Sequence, residues 1–322
     1  MAIRLAQTMA SKATRDAYGE AILQTAAAEP RVVALTGDLR DSVRLEAFAA
    51  AYPDRFFECG IAEQNMAGIA AGLAACGKIP FVSSFAAFSP GRCYDQIRVL
   101  IAQPRLNVKL VSTHGGITVG EDGMSAQAVE ELAMMRALAQ MTVIVPADAT
   151  ETAQAVMAAA RHDGPVYMRL GRSGVPVLFD ETYRFMVGVA PVLRDGTDVA
   201  VVACGIMVAE ALAAAETLAA EGISTRVLNS ATLKPLDEQA ILAAARECGA
   251  LVTAEEHTIY GGLGGAVCEV TAAQHPVPVE RVGIADCYGE SGTPRALQEK
   301  YGLTAAAIAA AARRAVSRKR PR

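Results

Sequence analysis

The 322-residue chain has no cysteine pair at CxxC or zinc-binding spacing; its seven cysteines are scattered singly. That excludes a disulfide framework and a cysteine-based zinc site, and it fits thiols kept reduced in a cytoplasm. There is no surplus of basic charge. The formal net charge is -4, so nothing in the body of the chain points to nucleic acid. The one basic cluster is terminal: Arg313, Arg314, Arg318, Lys319, Arg320 and Arg322. It reads as a solvated, frayed helix end. The opening MAIRLAQTMASKATRDAYG has no apolar signal core, and no apolar run is long and continuous enough to span a bilayer. No short-period repeat and no low-complexity linker appears. A soluble cytoplasmic protein is the expectation.

What is present is apolar sequence in short packets. Hydrophobic residues make up 52%, enough for substantial cores, and the length suggests two domains. Val32-Thr36, Pro80-Ser83, Val108-Ser112, Thr142-Val145 and Pro165-Arg169 read as strands. Helical patterns such as Asn65-Ala75 and Glu130-Leu138 lie between them. Strand and helix in alternation predict a parallel sheet covered on both faces. The stretch Gly171-Asp195 breaks this rhythm, with Pro176, Pro191 and no clear helix. A second series follows, with strands at Asp198-Ala203, Ser224-Leu228, Ala250-Glu255 and Pro278-Val282. Its helices run to about Glu221, from Asp237 and after Gly261, and an alanine-rich helix ends the chain. The expected architecture is α/β with two doubly wound domains, residues 1–175 and 196–322, joined by a linker at 176–195.

Parallel α/β sheets place ligands at the carboxyl ends of their strands, here the loops after Thr36, Ser83, Ser112 and Arg169. Three motifs stand out near them. In Glu58-Cys59-Gly60-Ile61-Ala62-Glu63-Gln64-Asn65-Met66, Gly60 suits a tight turn and Glu63 falls near a helix N-terminus. From spacing alone Glu63 reads as a helix-start carboxylate stabilised by the dipole. In Phe81-Val82-Ser83-Ser84-Phe85-Ala86-Ala87-Phe88, two of only eight phenylalanines lie three apart; by themselves they read as core packing. Ser112-Thr113-His114-Gly115-Gly116-Ile117-Thr118-Val119-Gly120-Glu121-Asp122-Gly123 puts two ionisable residues on a long glycine-rich loop, where Asp122 also suits turn chemistry.

Together these motifs resemble transketolases, and the resemblance covers the pyrimidine-binding and C-terminal domains of that family, nearly the whole chain. It implies a thiamine diphosphate site. Glu63 would hydrogen-bond a ring nitrogen of the aminopyrimidine and favour the imino tautomer, whose imine nitrogen removes the proton from thiazolium C2. Phe88 would stack on that ring and Phe85 would wall it. His114 would meet the substrate phosphate, and Asp122 a substrate hydroxyl. Arg15 (in Thr14-Arg15), Ser42 and Arg172 (in Leu170-Gly171-Arg172) match the family's phosphate pocket; arginine offers phosphate a planar fork of donors. Asp38, in Gly37-Asp38-Leu39, would lie on the thiazolium side. Arg92 would face either the site or a partner chain. Val145-Pro146-Ala147-Asp148 also fits the family and reads as structural. Glu255-Glu256-His257 and Gly261-Gly262-Leu263-Gly264-Gly265 read as packing and assembly elements.

Two departures qualify the resemblance. Four residues beyond its Asp the family usually carries a His that helps hold substrate hydroxyls; here that position is Ala126, which puts ketose specificity in doubt and admits a modified sugar. The family's Gly-Asp-Gly motif for Mg2+, followed later by Asn, has no counterpart here, and the family's N-terminal domain is missing. The expectation is therefore a C-terminal subunit with no metal ligands of its own. An N-terminal partner would bring the diphosphate and Mg2+ sites, and two such pairs would form a heterotetramer acting on sugar phosphates. The expected reaction is transfer of a two-carbon ketol unit from a ketose phosphate to an aldose. The alternatives are a 2-oxo acid dehydrogenase beta subunit, which shares this architecture, a 1-deoxyxylulose-5-phosphate synthase, and a non-catalytic α/β partner module. The Thr-His-Gly…Gly-Glu-Asp-Gly stretch favours transketolase among them.

Overall fold

A computed structural model describes residues 10–319; the start of the chain before Ala10, and Arg320 and Arg322 of the basic tail, lie outside them. Its strands are, in order, β1 (Ser11–Ala13), β2 (Val32–Thr36), β3 (Phe56–Glu58), β4 (Ile79–Phe85), β5 (Lys109–Thr113), β6 (Thr142–Ile144), β7 (Val166–Arg169), β8 (Gly174–Pro176), β9 (Val192–Arg194), β10 (Val199–Ala203), β11 (Thr225–Asn229), β12 (Thr232–Lys234), β13 (Leu251–Thr258) and β14 (Val279–Ile284). They form a seven-stranded sheet ordered β12-β6-β7-β5-β4-β2-β3, a five-stranded sheet ordered β14-β13-β10-β11-β9, and a β1-β8 ribbon. The protein is thus α/β with two predominantly parallel sheets.

The two sheets form because their strands are apolar throughout rather than in alternation. Every residue of β2 (VVALT) and β10 (VAVVA) is buried, as a strand covered by helices on both faces requires. Burying each such Val or Leu contributes roughly 1.5–3 kcal/mol relative to exposure. The antiparallel strands sit at the sheet edges: β9 flanks β11, and β12 flanks β6. Thus β12, which follows β11 of the second sheet, closes the edge of the first. One continuous core joins the sheets, running from Leu35, Met66 and Val82 through Tyr167 to Val202, Leu228 and Leu251.

The stretch between the two alternating series contains the short strands β8 and β9 and no helix. Asp148 fastens it: its carboxylate caps the helix Ala149–Arg161 through the Glu151 N–H at 2.7 Å and also accepts from the N–H groups of Leu178 and Phe179. The terminal arginines are less free than sequence suggests. The helix Ala305–Ser317 reaches into that cluster, and Arg313 pairs with Glu221 while Arg314 and Arg318 share Glu280.

Candidate active site

The helix Glu63–Ala75 has glutamate as its first residue and no side-chain cap. Its unpaired first-turn N–H groups and dipole therefore favour a carboxylate there. The approach is fixed by glycines: Gly60 adopts φ 68°, and a Cβ on Gly37 would come within 2.8 Å of the Gly60 carbonyl oxygen. This contact joins the loop after β2 to the glutamate loop. Glu58 reinforces it, its carboxylate accepting from the N–H groups of Asp38 (2.7 Å) and Gly60 (3.1 Å). Asp38 is held at φ 61° with its side chain exposed.

Glu63 is only 4% exposed. Its Oε1 accepts from Arg92 Nη1 at 3.0 Å. Arg92 also lies over the Phe88 ring, 4.8 Å from its centroid. The loop after β4 stacks Phe85 on Phe88 at 5.3 Å between centroids, and Phe85 on the His114 imidazole at 3.7 Å. A row of flat groups thus runs from Arg92 through Phe88 and Phe85 to His114.

His114 ends that row and begins a cationic cluster. It is buried in the left-handed region at φ 58°, a costly backbone for a non-glycine residue and one that tends to mark functional sites. Its Nε2 lies 3.3 Å from Arg15 Nη1 and its Nδ1 2.8 Å from Thr113 Oγ1. A guanidinium only donates, so Nε2 accepts and Nδ1 carries the proton toward Thr113. Burial, then the charges of Arg15, Arg172 and Arg44, push the imidazole down to about 3, which leaves it neutral. Arg15 Nη1 also donates to the Ser42 carbonyl at 3.1 Å, while its buried Nε has no hydrogen-bond partner among the described residues. Burial and the neighbouring Arg44 lower the Arg15 guanidinium from its ordinary value.

Arg172 donates to the Val119 carbonyl at 2.6 Å and lies 3.6 Å from the Asp122 carboxylate. The Gly171 N–H donates to Thr14 Oγ1 at 2.8 Å, tying the Arg172 loop to the start of the Arg15 helix. The structure thus brings together Arg15, the Ser42 backbone, His114, Arg172 and Asp122 at one end, and Glu63, Phe85 and Phe88 at the other. Asp38 stands on the glutamate loop and Ser42 contributes its carbonyl oxygen rather than its hydroxyl. Ala126 is buried.

Two residues and one buried pair were placed differently or missed by the sequence reading. Arg92, left open there, is on Glu63. Glu256, read as a packing element, reaches from β13 of the second sheet to accept the Thr118 N–H of the His114 loop at 2.7 Å. A Cβ on Gly116, at φ 84°, would collide with that carboxylate. Beside it Arg169 and Glu131 form a buried ion pair at 2.9 Å. The signal for this cluster was in β13 itself: the run Glu255-Glu256-His257 inside a strand buried on both faces requires partners.

Residues 10–177 match the family described as transketolase, pyrimidine binding domain, and residues 188–308 that described as transketolase, C-terminal domain. The chain is 45% identical to the 6-deoxy-6-sulfo-D-fructose transketolase subunit of Clostridium sp. (strain MSTE9), over 95% of each. It is 38% identical to an apulose-4-phosphate transketolase subunit of Phocaeicola vulgatus, over 90% of this chain and 93% of that one. A solved structure described as a split gene transketolase, inactive beta4 tetramer, is 52% identical. It superposes with a TM-score of 0.90 over 96% of this chain and 99% of that one.

Proposed function

The chain belongs to the transketolase family, and on that premise we propose that it is the C-terminal subunit of a thiamine-diphosphate-dependent transferase that moves a two-carbon ketol unit between sugars. The observation that carries this reading is the buried Glu63 carboxylate opening its helix beside the Phe85–Phe88 stack. A flat heteroaromatic ring fits that combination of aromatic face and buried acid, and an anionic substrate group fits the unpartnered Arg15 Nε.

When bound there, thiamine diphosphate would supply the nucleophilic carbon for the transfer. The work of this chain is to position and polarise. Glu63 would share a proton with a ring nitrogen of the aminopyrimidine. Phe88 takes the ring face and Phe85 backs it, an arrangement contributing roughly 0.5–1.5 kcal/mol beyond area burial. Asp38, on the loop after β2, would meet the thiazolium end of the cofactor. Arg15, Arg172 and the neutral His114 receive the anionic end of the sugar, and Asp122 accepts from a sugar hydroxyl.

Among the described residues no group of three or more His, Cys, Asp or Glu side chains is arranged to hold a metal ion. The proposal assigns Mg2+ and the diphosphate to an N-terminal partner subunit because the family's Gly-Asp-Gly motif has no counterpart in this sequence, with two such pairs forming a heterotetramer. The solved relative described as an inactive tetramer of beta chains supports a chain that assembles without being active alone. No helix among the described residues is long and apolar enough to cross a membrane, which is compatible with a cytoplasmic site of action.

The substrate belongs to the same proposal. Ala126 removes the usual histidine contact to substrate hydroxyls, and relatives at 45% and 38% identity are named for a sulfonated ketose and for apulose 4-phosphate. A ketose with an anionic end and an altered hydroxyl pattern suits this site better than an ordinary pentose phosphate. The test is ketol transfer by the co-purified pair against a panel of ketose phosphates and sulfonates, wild type beside Glu63→Ala. Turnover by wild type and its loss in the assembled variant is expected. Unchanged turnover in Glu63→Ala overturns the reading.

A further inference from the structure

The residue the functional reading leaves unused is Arg92. It ends the four-residue helix Ser89–Arg92. Its carbonyl oxygen accepts from Gln64 Nε2 at 3.0 Å, which pins the backbone to the glutamate helix. The side chain beyond that anchor is 47% exposed and therefore has water to move into. At present its guanidinium makes two contacts at once: an N–H donated to Glu63 Oε1 at 3.0 Å and a position over the Phe88 ring at 4.8 Å. A guanidinium is planar, donates in its own plane and stacks on aromatic faces. An aminopyrimidine is also planar and makes the same pair of contacts, one ring face on an aromatic and one ring edge on a carboxylate.

The two contacts also make different demands on the acid. Toward Arg92, Glu63 is an acceptor only, because a guanidinium has no lone pair to receive a proton. Toward a ring nitrogen bearing a lone pair, Glu63 must present a proton. One carboxyl meets both demands only by accepting on one oxygen while donating from the other, so the competition between guanidinium and ring is for the space over Phe88 and beside Glu63.

Resting on the thiamine diphosphate reading, we propose that Arg92 is a displaceable placeholder for the cofactor's aminopyrimidine ring. Its guanidinium fills the Phe88 face and satisfies Glu63 until the ring arrives, then swings outward. Arg92 is thus a positioning residue. It keeps a buried acid partnered in the cofactor-free subunit, and it lowers cofactor affinity by the fraction of molecules in which the place is taken.

The experiment is calorimetric titration of thiamine diphosphate with Mg2+ into the complex of this chain and its partner subunit, in a double-mutant cycle. Arg92→Gln is expected to tighten cofactor binding about tenfold. In a Glu63→Gln background, where the ion pair is already gone, the same substitution is expected to change affinity by less than about twofold. Arg92→Lys keeps the charge but loses the flat stacking face, so it is expected to fall between wild type and Arg92→Gln. A cofactor-bound structure is expected to show the guanidinium off Phe88 and Glu63. Weaker binding in Arg92→Gln would make Arg92 a direct cofactor contact and overturn the placeholder. An equal effect in both backgrounds, or Arg92 still on Glu63 with cofactor bound, would also overturn it. No binding of thiamine diphosphate to the wild-type complex would overturn the functional reading itself, a distinct result.

Discussion

At the Glu63 end of the site, the decisive contact joins residues 29 apart in the chain, Glu63 and Arg92. At the His114 end the contacts span 99 residues, from Arg15 to His114, and 138 residues, from Thr118 to Glu256. The first end is one helix start facing one loop. The second is a convergence of the helix at Thr14, the Ser42 loop, the His114 and Arg172 loops, and a carboxylate from the other sheet. Their electrostatics differ in the same way. The Glu63 end holds one buried acid against one half-exposed cation, whereas the His114 end gathers several cations and keeps its imidazole neutral. A local end can be altered one residue at a time. A convergent end has its geometry shared among segments, so a change in one segment reaches all of them.

Substitutions at each end should expose that difference. Glu63→Ala should have the largest effect, a loss of roughly 10²–10⁴-fold in turnover with the melting transition and assembly retained, read by steady-state assay beside size-exclusion chromatography. Loss of assembly would mean the acid also supports the fold. Glu256→Ala comes next and should act differently. It leaves the buried Thr118 N–H without an acceptor and removes a carboxylate from beside Arg169, costing roughly 1–3 kcal/mol or more of stability by denaturant titration. It should also raise KM for the sugar, because the His114 loop loses its clamp. Glu256→Gln keeps an acceptor and should recover much of both. Arg15→Lys should be milder still: a rise in KM of roughly tenfold for an anionic sugar, from losing a forked donor, with little change in kcat.

The same contrast governs what the sequence disclosed. The sheet strands were legible because VVALT and VAVVA are apolar runs that only a strand covered on both faces explains. The short edge strands were not: β9 and β12 are three residues each, and pairing across the chain rather than local pattern makes them strands. Glu63, Phe85 and Phe88 lie in compact motifs and were nominated together. Arg92 lay close by in sequence, yet nothing in Gly91-Arg92-Cys93 indicates which way its side chain turns. Glu256 was hidden for the opposite reason. Its neighbours mark it as a buried charge, but its partner sits 138 residues away on another sheet, a distance no local rule spans.

The smallest effect concerns pH, and it also separates the two ends. Burial and the surrounding arginines push His114 down to about 3 from its usual 6.5. Between those values the unfolded chain binds a proton that the folded chain refuses. The contribution to stability is therefore full above about pH 6.5 and is lost progressively as pH falls toward 3. His257, buried and also pushed down to about 3, adds a slope of the same sign. Glu131 and Glu255 act oppositely: burial raises each to about 7 from 4.5, so the folded state holds their protons more tightly and stability from them falls as pH rises through 7. The wild-type curve sums these slopes with those of other buried groups, Glu151 (raised to about 7 by burial) among them, and its shape alone identifies none of them. The difference between wild type and His114→Gln does, because glutamine can still accept from Arg15 and does not titrate. Over pH 7.5 to 5, the stability difference between wild type and His114→Gln, read from denaturant midpoints, should shrink as pH falls, with the two curves converging toward the acid end. Parallel curves would mean that His114 takes up its proton in the folded chain, and that the arginines around it open to water more readily than the closed cluster indicates.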